Sequence, residues 1–129
     1  MAKAGKIRAF QSGATRDQDV HKLDFEGFLS PPAMRRFAEY MHKHRQQSDG
    51  GLRASDNWQK GIPLDAYMKS GWRHFFAWWA AHRGLPAEEL EESLCALLFN
   101  VQGYLHEILQ LRNLRRTVPP TPRLRRAGR

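Results

Sequence analysis

Cysteine is almost missing from this 129-residue chain: Cys95 stands alone. One thiol builds neither a disulfide framework nor a cysteine-based zinc site, and it fits a reducing compartment. Long apolar runs are missing as well. The longest, residues 75–81, has seven members, against the ~18 that a membrane span needs, so no membrane partner is expected. The basic N-terminus lacks the apolar centre of a signal peptide, and a cytoplasmic location is the expectation. Acidic residues are missing from both ends. Residues 112–129 carry seven arginines and no acid, and residues 1–16 carry Lys3, Lys6, Arg8 and Arg16 without one. Between them, residues 17–111 hold ten basic and thirteen acidic side chains, a balance of −3. The overall +8 therefore describes two basic ends on a mildly acidic body, and only the ends suggest contact with an anionic polymer.

Several catalytic signatures are also lacking. No Gly-Lys-Ser/Thr marks a P-loop, and Gly13-Ala14-Thr15 has no lysine. His106-Glu107 does not extend to a zinc-binding HExxH, because position 110 is Gln. No His-Asp dipeptide is present, which disfavours the phosphohydrolases built on that pair.

What is present reads as helix. Residues 1–29 carry glycines and scattered charges without a sustained period and are expected to form an extended or looped lead-in. Ser30-Pro31 then starts a first helix, Ser30 as N-cap and Pro31 where its missing N–H costs nothing. Ala33, Met34, Phe37, Tyr40, Met41 and His44 share one side of it, and Asp49-Gly50-Gly51 stops it after about Gln47. A polar loop covers 49–62. A second helix runs from Pro63 to a left-handed C-cap at Gly84, with Leu64, Met68, Trp72, Phe75 and Trp79 as its expected buried stripe. A third opens at Pro86, its glutamates complementing the helix dipole, and reaches about Leu114. From there Val118-Pro119-Pro120-Thr121-Pro122 and the arginines make a tail that cannot bury a core. The expected organisation is a lead-in at 1–29, a helical domain at 30–114 and a basic tail at 115–129, all-α. The aromatics of the second helix span roughly 160° at ~100° per residue, too wide for one neighbour. A homodimer completing a four-helix core is the simplest remedy, and burial of some rings under the lead-in is the alternative.

On the third helix Glu89, Glu92, Ser93, Ala96, Asn100, Gly103 and Glu107 fall on one polar or small stripe. A solvated face is one reading. The other is a site for a hard divalent cation, since carboxylates at i and i+3 converge and Ala96 and Gly103 leave room for close approach. Glu39 and His42 share the same spacing on the first helix, but with Arg35 and Lys43 they lie away from its apolar stripe, where spacing alone favours a surface pair. Lys69 and Arg73, one turn apart, offer a phosphate clamp or a solvated face. His74 lies among aromatics. The loop Asp56-Asn57-Trp58-Gln59-Lys60-Gly61 gathers the parts for base stacking and phosphate contact.

Taken together, Gly13-Ala14-Thr15-Arg16-Asp17, Lys22-Leu23-Asp24-Phe25-Glu26-Gly27-Phe28-Leu29-Ser30-Pro31 and Phe37-Ala38-Glu39-Tyr40-Met41-His42-Lys43-His44-Arg45 resemble the N-terminal domain of the phage dATP/dGTP diphosphohydrolase family. Ser55-Asp56-Asn57-Trp58-Gln59-Lys60-Gly61-Ile62-Pro63, Trp72-Arg73-His74-Phe75 and Leu94-Cys95-Ala96-Leu97-Leu98-Phe99-Asn100 continue the resemblance in matching order over about 11–109. That family is similar in turn to the MazG-like all-α nucleoside triphosphate pyrophosphohydrolases. The resemblance implies a MazG-like helical bundle that hydrolyses dATP or dGTP to the monophosphate and pyrophosphate in the cytoplasm of a phage host. It implies magnesium, with manganese as the alternative, held by Glu39, Glu89 and Glu92. Where the family has a carboxylate after Glu39 this chain has His42, and Asp56 is the substitute. Glu39 and Glu92 become the catalytic carboxylates, and a metal-bound water the nucleophile at the α-phosphorus. Lys60, Lys69 and Arg73 become phosphate contacts, Asn57 and Trp58 base contacts, and His74 and Asn100 substrate-binding residues. The alternative is a non-catalytic accessory protein touching nucleic acid through its basic tail.

Overall fold

The structure, a computed structural model, describes residues 7–17, 21–87 and 89–117. The chain divides into two units, residues 1–34 and 35–129. It is mostly helical, with one small sheet among the described residues.

The first unit, expected as an extended or looped lead-in, contains regular structure. Strands β1 (Ile7–Ala9) and β2 (Thr15–Asp17) pair antiparallel with Ile7 opposite Asp17. The connection closes through Gly13 N–H to the Phe10 carbonyl at 2.9 Å, with Gly13 at φ +87°. That is a tight turn followed by a left-handed residue, a three-residue hairpin loop that glycine fits without strain. A short helix α1 (Phe25–Phe28) follows, capped by Asp24, whose Oδ1 accepts from Gly27 N–H at 2.9 Å.

Helix α2 (Pro31–Lys43) starts as the sequence indicates, with Ser30 Oγ accepting from Ala33 N–H at 3.3 Å. It ends four residues before the expected Gln47. Residues 44–53 fold back on themselves instead: Gln47 N–H reaches the Gly51 carbonyl at 2.8 Å, Gln46 bridges Leu52, and Gly50 takes φ +86°. A 3-10 turn (Asn57–Lys60) leads into α3 (Leu64–His82). Gly84 closes α3 at φ +77°, with Leu85 N–H on the Ala80 carbonyl at 2.9 Å and Gly84 N–H on the Ala81 carbonyl at 3.0 Å. These are the two bonds of a Schellman cap. Helix α4 (Leu90–Thr117) begins four residues later than Pro86 and runs beyond Leu114, so residues 115–117 of the expected tail are helical. The remainder of that tail, 118–129, lies outside the described residues.

Helices α3 and α4 pack against each other, and the 3-10 turn packs on α4. Which faces meet is the main correction to the sequence reading. The expected stripe of α3 does not form its buried face: Trp72 is 65% exposed, Met68, Phe75 and Trp79 are exposed too, and Leu64 is half-buried. The buried residues of α3 are Tyr67 and Ala80. On α4 the polar and small stripe is neither a solvated face nor open: Ser93, Ala96, Asn100 and Gly103 are buried, while Leu94, Leu98, Val101 and Leu105 are exposed. Small residues explain this inversion. The Tyr67 ring lies over Gly103, where any β-carbon would collide with it, and Gly71 faces Asn100. Close helix approach exchanges the usual apolar interlock for contact between backbone, glycine and one aromatic ring.

Candidate functional site

Glu92, in the first turn of α4, is the meeting point of the second unit's helices. Its Oε1 accepts from Arg36 Nη2 of α2 at 3.2 Å and from Lys43 Nζ at 3.4 Å, while His44 Nε2 stands 3.7 Å from Oε2. Arg36 Nε also pairs with Glu91 at 3.3 Å. Burial pushes the Glu92 carboxyl up, but the hydrogen bond from Arg36 and the charge and hydrogen bond of Lys43 outweigh it and hold the group below its usual range. The same hydrogen bond raises the Arg36 guanidinium. Both side chains remain about a quarter exposed, so water still reaches the cluster.

The carboxylates expected to share a metal are not gathered around Glu92. Glu39 pairs with Arg35 on its own helix at 3.3 Å and is exposed. Glu89 is exposed and takes part through its carbonyl, which accepts from Ser93 N–H at 3.1 Å. Asp56 precedes the 3-10 turn, and its side chain caps nothing. Among the described residues no group of three or more His, Cys, Asp or Glu side chains is placed to hold a metal ion. One buried polar atom beside Glu92, Ser93 Oγ, has no hydrogen-bond partner among them. A single hydroxyl next to a carboxylate already matched by two cations does not fit a divalent ion, so as arranged in one chain this donor set does not suit magnesium.

Next to this cluster lies a cavity of about 250 Å³, lined by Tyr40, His44, Arg45, Arg53, Asn57 and Trp58 among others. The turn at 44–53 positions its two arginines: Arg45 Nε donates to the Arg53 carbonyl at 2.8 Å, and Arg53 N–H returns to the Arg45 carbonyl at 2.8 Å. Trp58 is held edge-on by Phe99, centroids 6.4 Å apart, and by His106 at 4.9 Å. Tyr40 and His44 contact ring to ring at 4.3 Å. Burial, and then the nearby Glu92 charge, raise the Tyr40 hydroxyl, so it stays a donor at neutral pH. His44 belongs to both the cavity and the Glu92 cluster.

Of the residues picked out in the sequence, Asn57 and Trp58 line this cavity and Glu92 sits next to it. Lys60, Lys69 and Arg73 are exposed and do not line it. His74 is half-buried on α3. Asn100 is buried, its Nδ2 donating to the Ala96 carbonyl of its own helix at 2.7 Å. Sequence reasoning missed Arg36, Arg45 and Arg53. Arg36 meets Glu92 across 56 positions, a pairing no local pattern carries, whereas the turn signal at Asp49-Gly50-Gly51 pointed to where Arg45 and Arg53 meet.

A second, larger groove of about 760 Å³ runs between α3 and α4, lined by Met68, Trp72, Phe75, Val101 and Tyr104 among others. No helix of the described residues is long and apolar enough to cross a membrane. No family model, curated protein or solved structure matches the chain.

Proposed function

We propose that the chain is a MazG-like pyrophosphohydrolase of purine deoxynucleoside triphosphates, dATP and dGTP, releasing the monophosphate and pyrophosphate in the cytoplasm of a phage host. The observation that supports the reading best is the juxtaposition of Glu92 with an aromatic, cationic cavity. Helices α2 and α4, to which the family resemblance assigns the carboxylates, meet at that residue. On this reading a triphosphate competes with Glu92 for Arg36 and Lys43, because both are anions and the phosphates carry the larger charge. The exchange neutralises the polyphosphate and frees the Glu92 carboxylate.

Magnesium, or manganese in its place, is the cofactor the resemblance implies. Among the described residues the unliganded side chains do not assemble around an ion. The exposed aromatic face of α3 and the apolar residues of α4 also support a homodimer, in which a second copy covers them. The test is pyrophosphate release from each of the four dNTPs with and without a divalent cation, on the native chain and on Glu92→Gln. Activity that needs the cation, prefers purines and is lost in Glu92→Gln upholds the reading. Nucleotide binding without turnover supports instead a domain that keeps the fold but not the chemistry.

A further inference from the structure

The cationic side chains lining the small cavity are Arg45 and Arg53, with His44 beside them and no carboxylate among the lining residues. Neither guanidinium forms an ion pair with a carboxylate among the described residues. Each is instead tied to backbone of its own turn: Arg45 Nε to the Arg53 carbonyl at 2.8 Å, Arg53 Nη1 to the His44 carbonyl at 3.5 Å. A guanidinium has five N–H donors in a rigid fork, so one bond to a carbonyl fixes its direction and leaves most of the fork over. Both guanidinia line the same cavity with N–H donors to spare, an arrangement that suits an anion. Trp58 supplies an aromatic wall, anchored by Phe99 and His106 so that it loses little freedom on binding. Tyr40 supplies another, set against His44.

We infer that this cavity binds a nucleoside 5′-monophosphate group, the base against Trp58 and Tyr40 and the phosphate on Arg45 and Arg53. This deepens the nucleotide reading and rests on it for the class of ligand. The cavity's 250 Å³ lies just under the ~300–1,000 Å³ of small-molecule sites, enough for the base and first phosphate. The remaining phosphates of a triphosphate then extend past His44 to Arg36 and Lys43. Under this assignment the monophosphate is the part retained and pyrophosphate the part that leaves.

The test uses the whole chain without divalent cation at moderate salt, followed by two-dimensional NMR of the tryptophan indole and arginine Nε–H signals. The probes are dGMP, dAMP, deoxyguanosine and inorganic phosphate. Both monophosphates are expected to shift Trp58 and the two arginines to saturation. Deoxyguanosine and phosphate alone each bind about tenfold more weakly or worse, since each keeps half of the contacts. Arg53→Gln lowers dGMP affinity about tenfold and leaves deoxyguanosine unchanged. The wild-type comparison stands even if that variant disturbs the turn. Equal affinity for dGMP and deoxyguanosine overturns the assignment, as do shifts confined to Trp72, Trp78 and Trp79 or a complete absence of shifts. Pyrophosphate release run in parallel separates the two claims. Turnover without monophosphate binding at Trp58 sinks the cavity assignment alone, and binding without turnover sinks the hydrolase alone.

Discussion

Replacing Gly103 with alanine probes the inverted helix packing directly. If Gly103 sat on a solvated face of α4, alanine would stabilise the helix by up to about 1 kcal/mol. In the structure the added β-carbon collides with the Tyr67 ring, which is 2% exposed. Overpacking a filled site costs about 1–3 kcal/mol. Displacing the ring also disturbs its edge-on contact with Phe99, centroids 5.8 Å apart, a pair worth about 0.5–1.5 kcal/mol. Set against the helix-propensity gain, the net is a loss of about 1–3 kcal/mol, or roughly 4–12 °C in Tm for a domain of this size. Thermal and denaturant unfolding at fixed protein concentration measure it. Trimming the ring with Tyr67→Leu should remove the collision, so Gly103→Ala becomes neutral or stabilising in that background, a coupling above about 1 kcal/mol. A rise in Tm for Gly103→Ala in the native background, or additive effects in the double variant, would refute the packing of α3 on α4 described here.

Other outcomes follow from the same geometry. The Glu92 carboxyl is held low in the folded chain, so its ion pairs stabilise above the unfolded pKa of about 4.3 and are lost as pH falls through the folded value. The stability gap between the native chain and Glu92→Gln should therefore hold from neutral pH down to the unfolded value and close as pH falls further, as followed by urea unfolding across an acid series. The exposed stripe of Trp72, Phe76 and Val101 predicts a dimer by sedimentation at micromolar concentration. Val101→Glu should give a monomer of unchanged helical content, and a native chain that stays monomeric would argue against the second copy. Removing residues 118–129 takes away four arginines. Residual DNA binding should weaken, and its log–log salt slope should drop by about 3–4, while pyrophosphate release is unaffected.

The parts of the fold written in local chemistry were legible. Ser30-Pro31 marked the start of α2 and Gly84 the end of α3, because caps depend on one or two residues whose backbone preferences dominate. The hairpin at 7–17 was hidden by its short strands, all exposed and therefore without apolar alternation; Gly13 was its one usable signal. The buried faces of α3 and α4 were misjudged for a different reason. Apolar periodicity identifies the face that wants cover, and within this chain that face is not the one covered. Gly71, Ala96 and Gly103 allow backbones close enough that the polar stripe goes inside, leaving the aromatics outward. At the site, carboxylate spacing located Glu92 but not its partners, because Arg36 and Lys43 arrive from another helix.

Pyrophosphate release from dATP and dGTP, assayed with and without magnesium, tests the central claim most directly. Release that favours the purine substrates and disappears in Glu92→Gln while the variant stays folded is expected, with the cation dependence that the family resemblance implies. Full activity in Glu92→Gln, or no pyrophosphate from any dNTP under any divalent cation, would contradict it.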